Sequence, residues 1–591
     1  MQLTLQTITP VHVGNGEELY DLDYAVHGGY YYRISQKTIL DFLAEIPEGA
    51  EQYARWIDRN ADEISTLKER MRYEKDRRRK GDYNQQLNRL RSGYNLISFA
   101  KSINKQNEFL NYLKAAANVY KIPFDDKLRG QVRGAIKTAT GKPYIPGSSL
   151  KGAIRTALLY RCLSEKSDAE SVKNVLQNAL RHAYQKGKDR RSLQRIKKTF
   201  ADRLEHLAFY CHTKKGDRLK RDDEKFDLLK LLKVSDGQLP GAPDTTMRLA
   251  DVNLYLVNKQ KNRQTGKIDF KATTQGQTSY VEAIKEDTPI SFKMNVDLTF
   301  LLQFKQEFEK NQVRVDNQKT YWIGIAEKVK NIFGLDINTL NSANLQEKEN
   351  EVYEYIFDSL KMFSKQQLIH QQKWLDRFIE HDKRRDYDVE IEDGHQIVFD
   401  SKDNRLIHFG FGTGFTGITE YLHLLKNPEL KPLLKDIMEL FLIGDKPGAN
   451  KNRKGSETYT ANPDKFPKSR RLVRNDDRIQ PMGWGCLLKA GEKFDMPKIG
   501  ATTKEQISTE PVKAEYFKGT LNPKKRPQMN AEVTHSGRPN KVKVYVSEDY
   551  TPEIKLDGYR NPLEVGKIVI VEVGVSKKKQ ITQASFKKEK K

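Results

Sequence analysis

The sequence predicts an α+β protein of several domains, with helical insertions and a small all-β barrel at its C-terminal end. Three observations carry this reading. Ile290, Phe292, Met294, Val296 and Leu298 alternate with polar residues, the period of a half-buried strand. Leu150, Ile154, Ala157, Leu158 and Cys162 recur at helical spacing. Beyond Tyr516, short β-rich runs at 542–546, 568–575 and 581–586 are separated by Gly, Pro and Asn, as in a small barrel. At 591 residues the chain is expected to form about three to five units.

Taken in order, alternation over residues 3–9 predicts a first strand, Gly14 and Gly16 a turn, and residues 20–26 and 30–34 two further strands joined at Gly28-Gly29. Ser35 is placed to cap a short helix with Ile39, Leu40 and Leu43 on one face. Residues 48–120 become polar and helical, with a basic run from Lys75 to Lys80, and read as an insertion. A helix capped by Ser148 or Ser149 follows, with Lys151 and Arg155 on one side of its first turns. Residues 164–231 read as a second helical, basic insertion. Strands are expected at 247–256 and, as one long run, at 280–300. Residues 317–380 should be helical, 405–411 a strand, 446–470 a polar loop and 486–488 a returning strand.

Composition narrows the function. Lys+Arg number 104 against 79 Asp+Glu, a net charge of +25, which suggests a polyanionic partner. The 27 Tyr and 25 Phe are too many for a disordered chain. No run approaches the roughly 18 apolar residues of a membrane span, and Met1 leads directly into a strand-like pattern, so a soluble, cytoplasmic protein is expected. Cys162, Cys211 and Cys486 are scattered and form no CxxC pair, which argues for reduced thiols and against a cysteine-based zinc site.

Several motifs invite chemistry. Gly412 to Gly417 spells GxGxxG, but residues 420–445 read as helix and turn where a dinucleotide fold needs another parallel strand and an acidic residue. Its closely spaced glycines can instead turn successive amides toward an anion. The segment from Gly141 to Gly152 lacks the lysine of a phosphate loop, yet offers a helix start with two hydroxyls, Lys151 and Arg155, suited to an RNA backbone. His12, beside Gly14 and Gly16, could act as a general base toward a 2′-hydroxyl, although a lone histidine is more often structural. His206, Cys211 and His212 do not share a helical face, and Asp21, Asp23 and Asp236 lie where turns and strands commonly place acids; no metal or other cofactor is expected. Basic groups at 72–80, at Lys186, Lys188, Arg190 and Arg191, and at 468–474 would supply sequence-independent phosphate affinity.

Read together, TPVHVGNGEE, YIPGSSLKGAIRTALL, LKVSD, YVEAI and HFGFGTGFTGIT followed by PMGWG resemble the RAMP superfamily of CRISPR-associated proteins. Their order is most similar to the type III-A (Csm) subunit capping the complex at the 3′ part of its guide RNA. The resemblance implies two ferredoxin-like (RRM-like) domains, at 1–245 and 246–491. It also implies crRNA and, through it, target RNA as partners, with other Csm-type backbone subunits and recruited host nucleases. By the resemblance the chain is a non-catalytic binder, implicated in crRNA 3′-end maturation and antiviral defence. A metal-independent endoribonuclease using His12 is the alternative. The residues expected at the RNA are His12, Gly14, Gly16, Arg129, Arg133, Gly147, Ser148, Ser149, Lys151, Arg155, Gly410, Gly412, Gly414, Phe415, Gly417, Arg470, Arg471 and Arg474. A linker at 492–514 and an OB-like module at 515–591, with Gly519, Lys524, Lys525 and Arg526 suited to single-stranded RNA, extend beyond the resemblance.

Overall fold

The computed structural model describes residues 1–74, 76–115, 120–125, 128, 131–166, 169–186, 203–215, 218–220, 227–261, 268–305, 320–381, 388–418, 420–444, 460–475, 478–496, 517, 526–535, 541–544, 546–547, 550–557, 568–576 and 580–589. The chain divides into two compact units. One comprises 1–381, 397–476 and 480–497; the other comprises 382–396, 477–479 and 498–591.

The first unit is a mixed helix and sheet structure built on one long-range sheet. The strand Gln2–Thr7 lies between Pro289–Val296 and Trp484–Lys489, antiparallel to both, with Leu3 opposite Phe292 and Leu5 opposite Leu487. Leu232–Val234 and Gly237–Gln238 pair antiparallel with the far side of Pro289–Val296, and Leu406–His408 pairs with Trp484–Lys489. The expected alternation holds in Pro289–Val296, whose Ile290, Phe292, Met294 and Val296 are all buried. Helices Gly147–Arg161 and Leu345–His381 pack against each other, with the Tyr160 and Phe363 rings 5.3 Å apart. Leu150, Ile154 and Leu158 from one helix and Ile356 and Leu360 from the other join the sheet residues in one core. The sheet therefore takes strands from both sides of residue 245.

The second sheet places Met247–Lys261 and Ile268–Ile284 side by side as a long antiparallel ribbon. Ser469–Asn475 pairs with the first of these strands. Val132–Ala135 runs parallel to the second and antiparallel to Gly14–Leu19. The single strand expected over 280–300 is thus two strands in two sheets. They are separated at Asp287, which has a positive φ of 57°, and the second ends where the Asp297 carboxylate caps Leu298–Gln303. Two other expectations differ. Residues 14–19 form a strand through the expected turn, because Asp23 closes the chain at Tyr20–Asp23 by accepting from Tyr20 N. Residues 320–323 form a strand, and Gly324 begins the helix Ile325–Phe333.

The polar region at 48–120 is helical as expected, through Gly49–Tyr73, Arg77–Gly93, Leu96–Ser102 and Gln106–Ala115. Its own core joins Trp56, Phe99 and Phe109 to Phe42 of the helix Gln36–Ala44, which Ser35 caps. In the second expected insertion, Ala169–Lys186 is a helix, but His212–Lys215 and Arg218–Lys220 are strands. Lys75, Lys188, Arg190, Arg191, residues 445–459, Gly519, Lys524 and Lys525 lie outside the described residues. No helix among the described residues is long and apolar enough to cross a membrane.

The second unit carries a closed five-stranded barrel: Gln528–His535, Lys541–Val544, Glu553–Asp557, Ile568–Val575 and Ile581–Glu589. Numbered along the chain, its strands close in the order 1-2-3-5-4, with the third and fifth parallel. Met529, Val533, Val542, Val571 and Ala584 fill it.

Candidate nucleic-acid interface

His12 sits where the two sheets of the first unit meet. The chain leaves Gln2–Thr7, and Val11 exchanges backbone hydrogen bonds with Ile284 of the second sheet, 3.1 and 2.7 Å long. Val13 O then accepts from Ile136 N. Held by these bonds, the His12 ring is only 3% exposed, and its Nδ1–H donates to the Glu282 carbonyl over 2.7 Å. Burial drives the His12 pKa below its ordinary value, against the opposing pull of Glu282, so the ring is neutral near pH 7. With Nδ1 as donor, Nε2 is the acceptor nitrogen.

The glycine-rich loop closes over this histidine. Phe411 N donates to His12 O over 2.8 Å, and the two rings meet edge-on at 5.7 Å. Gly410 is required here: its φ is +78°, and a Cβ would stand 2.6 Å from His12 O. Thr413 Oγ1 donates to Gly410 O at 2.6 Å, which braces the loop. Phe415 faces inward against Phe466 and Tyr421, and Gly417 is buried beside Gln367 and Thr413. The helices Phe415–Ile418, Tyr421–Lys426 and Lys431–Leu440 follow, so no parallel strand completes a dinucleotide fold.

A cleft of about 290 Å³ lies between the two glycine segments, with His12, Gly14, Gly16, Glu17, Arg133, Gly410 and Phe411 on its walls; the Glu17 carboxylate there is paired with Arg33. Phe411 carries two guanidiniums, Arg133 at 5.3 Å and Arg471 at 5.0 Å from the ring centroid. Arg133 is loosely paired with Glu18 at 3.5 Å, both side chains 40% exposed, while Arg471 has no carboxylate partner among the described residues. Burial first and Arg133 second lower the Arg471 pKa, the signature of two like charges on one patch. The ring face offsets part of that repulsion. An anion held between the two guanidiniums offsets more.

Behind the cleft lies a hub that the sequence did not single out. The Glu282 carboxylate is fully buried and accepts from Ala135 N at 2.8 Å and Tyr31 Oη at 3.2 Å. Lys137 and Arg33 flank it at 3.1 and 3.2 Å. Burial lowers the Lys137 pKa to about 8 despite Glu282. Within YVEAI this glutamate reads as an ordinary strand residue; its signal is only that a carboxylate alternates onto the same strand as buried Tyr280 and Ile284.

A model of the RAMP superfamily matches residues 4–335. The chain belongs to the RAMP superfamily. Among similar proteins is the CRISPR system Cms protein Csm5 of Methanocaldococcus jannaschii, 24% identical over 492 residues, which cover 82% of this chain and 88% of that one. The protein of the same name from Streptococcus thermophilus is 32% identical over 163 residues, 27% of this chain and 37% of that one. Two solved structures are also similar. One is a chain of a type III-A Csm–crRNA–target RNA ternary complex, 19% identical, TM-score 0.46, covering 83% of this chain and all of that one. The other is T. onnurineus Csm5, 18% identical, TM-score 0.45, covering 82% and 99%.

In this RAMP protein the remaining expected residues are spread over distinct environments. The helix Gly147–Arg161 starts without a side-chain cap from Ser148 or Ser149; Asp236 of LKVSD accepts from Gly147 N at 2.7 Å instead. Lys151 Nζ donates to Leu232 O at 2.7 Å, and Arg155 binds Asp227 at 2.8 Å and Glu205 at 3.0 Å. Both cations therefore serve protein groups. Arg470 lies against Trp374, its guanidinium enclosed and its pKa lowered to about 10 by burial and by Arg377. Arg474 is exposed on the same strand as Arg471. Gly412 and Gly414 continue the loop with positive φ, and Arg129 lies outside the described residues. Among the described residues no three His, Cys, Asp or Glu side chains come together as a metal site.

Proposed function

We propose that this chain is a crRNA-binding subunit of a type III-A CRISPR effector complex, capping the guide at its 3′ end and supporting its maturation. The observation that carries the RNA-binding part is the Arg133–Phe411–Arg471 group, of which Arg133 and Phe411 line the cleft between two glycine segments. Guanidiniums bind phosphate by forked hydrogen bonds, and stacking on an aromatic holds them in place for it. The Csm5 relatives support the placement in such a complex. Lys151 and Arg155 enter this reading as supports of the helix beside LKVSD, not as phosphate ligands.

The architecture is read in the same terms. Along the chain, Gln2–Thr7, Gly147–Arg161, 232–238, Pro289–Val296, Leu345–His381 and Trp484–Lys489 form a βαββαβ series. Its strands lie in the order 4-1-3-2, which supports a ferredoxin-like reading, and on that reading each expected domain corresponds to a sheet that draws strands from both halves of the chain. The barrel order is that of an OB-fold, a fold that binds oligonucleotides.

The test is to mix the protein with labelled crRNA, with and without EDTA, on native and denaturing gels. A salt-sensitive shift with intact RNA supports the binding role, and strong sequence selectivity by the isolated protein counts against it. One observation favours a second reading: the Nδ1 bond to Glu282 leaves His12 with a neutral acceptor nitrogen, the form a general base needs. EDTA-resistant fragments that vanish in His12→Ala would establish that endoribonuclease.

A further inference from the structure

A second cleft, of about 310 Å³, opens at the side of the long ribbon, where Phe270 and Asn258 face Arg377, Lys465 and Lys468. Among the described residues no Asp or Glu lines it, while three cations do. Two acids of the neighbouring segments have partners of their own: Asp464 binds Lys431 at 2.8 Å, and Glu439 accepts from Ala461 N at 3.0 Å and neighbours Lys435 at 3.9 Å. Phe270 is half-buried, stacked with His381 at 5.3 Å and 25°, and covered by Lys465 Nζ at 4.9 Å from the ring centroid. Arg377 reaches from the helix Leu345–His381 and donates to Pro467 O at 2.7 Å, but its buried Nε–H has no hydrogen-bond partner. A buried donor left unmade is costly, and a convergent ligand oxygen would satisfy it. The volume is at the lower end of the roughly 300–1,000 Å³ typical of small-ligand clefts, which limits the occupant to a small molecule or one residue of a polymer.

We propose that this cleft binds a single phosphorylated nucleoside unit, its base against Phe270 and its phosphate between Lys465 and Arg377. The lysine now over Phe270 has a flexible stem, so it can exchange the ring for a phosphate as a base takes its place. The site is separate from the Phe411 cleft and goes beyond the guide-binding role assigned there. Its ligand chemistry is met either by one nucleotide of single-stranded RNA or by a free nucleotide.

The test uses the full chain and a 5-iodouridine oligoribonucleotide of about ten residues, photo-cross-linked and mapped by mass spectrometry, with 5′-AMP as competitor. The expected result is a cross-link at Phe270, lost in Phe270→Ala and weakened about tenfold in Lys465→Ala, both variants keeping the parent circular dichroism spectrum. Cross-linking that survives millimolar 5′-AMP assigns polymeric RNA; cross-linking abolished by it assigns a free nucleotide. Arg133→Ala/Arg471→Ala keeps this cross-link even if it loses guide binding, so the two sites fail separately. If no adduct forms at Phe270 and 5′-AMP does not bind, the proposal is overturned.

Discussion

At the residue scale the proposed interface rests on two cations that share one aromatic ring. Arg133 and Arg471 share the Phe411 ring, and among the described residues Arg133 alone of the two is ion-paired, loosely, with Glu18. Replacing both by Ala is expected to weaken crRNA binding about equally for unrelated sequences. The slope of log affinity against log salt should become shallower by about 1.4, or 0.7 per single-strand phosphate contact. Filter binding at several salt concentrations checks this; an unchanged slope removes the pair from the interface. His12→Ala should leave that slope alone, since a neutral buried ring contributes no counterion release. Gly410→Ala places a methyl 2.6 Å from His12 O at φ +78°, and is expected to cost about 1–3 kcal/mol in denaturant unfolding and to weaken RNA binding with it. This loop was legible in the sequence because clustered glycines mark unusual backbone. Glu282 was not, because its partners Tyr31, Arg33, Ala135 and Lys137 arrive from distant segments.

At the element scale, the long helix, the helix Tyr421–Lys426 and the strand Leu406–His408 each hold a buried histidine, His370, His423 and His408, as a neutral ring. Burial lowers the pKa of His370 and His423 to about 4 and of His408 to about 3. His408 stacks on Trp484 at 4.2 Å and donates Nε2–H to Met482 O, so its Nδ1 stays an acceptor. Below pH 6.5 the unfolded chain takes up protons that the folded chain refuses. The stability these sites contribute is therefore whole above about pH 6.5 and is lost as pH falls toward 4. For His423 the full shift corresponds to on the order of 3 kcal/mol at about 1.4 kcal/mol per unit. His423→Gln is expected to flatten the dependence of the urea midpoint on pH over that window, and an unaltered profile would show that another group governs it. Capping followed the same contrast between local and distant signals. Ser35 caps Gln36–Ala44 as its position suggests, because the bond spans three residues. Gly147–Arg161 takes its cap from Asp236, 89 residues away, which no local pattern reveals.

At the scale of the whole molecule, the central sheet makes the first unit indivisible in sequence. Gln2–Thr7 is paired on both sides by segments that follow residue 288, so a fragment of residues 1–245 leaves it without partners and exposes Leu3 and Leu5. Such a fragment is expected to be insoluble or molten, whereas residues 1–497 should retain a cooperative thermal transition by calorimetry. A folded 1–245 fragment would contradict the role given to this sheet. The barrel, with its own closed strand order and core, should contribute a separable transition to the full chain.

By itself the sequence determined what short-range physics controls: the mixed helix and strand content, the polar helices of 48–120, the alternation of Pro289–Val296, three of the five barrel strands and the basic excess. Each follows from residues a few positions apart, where period, cap and turn chemistry act. The tertiary structure alone decided which strands became neighbours, why one apparent strand at 280–300 serves two sheets, and which cations face a cleft. Lys151, Arg155 and Arg471 are alike in sequence as basic residues beside a motif. The first two are held by Leu232, Asp227 and Glu205, and the third lies over an aromatic with another cation. The difference is the position of acids and carbonyls far along the chain, because electrostatic pairing depends on distance in space rather than on spacing in sequence.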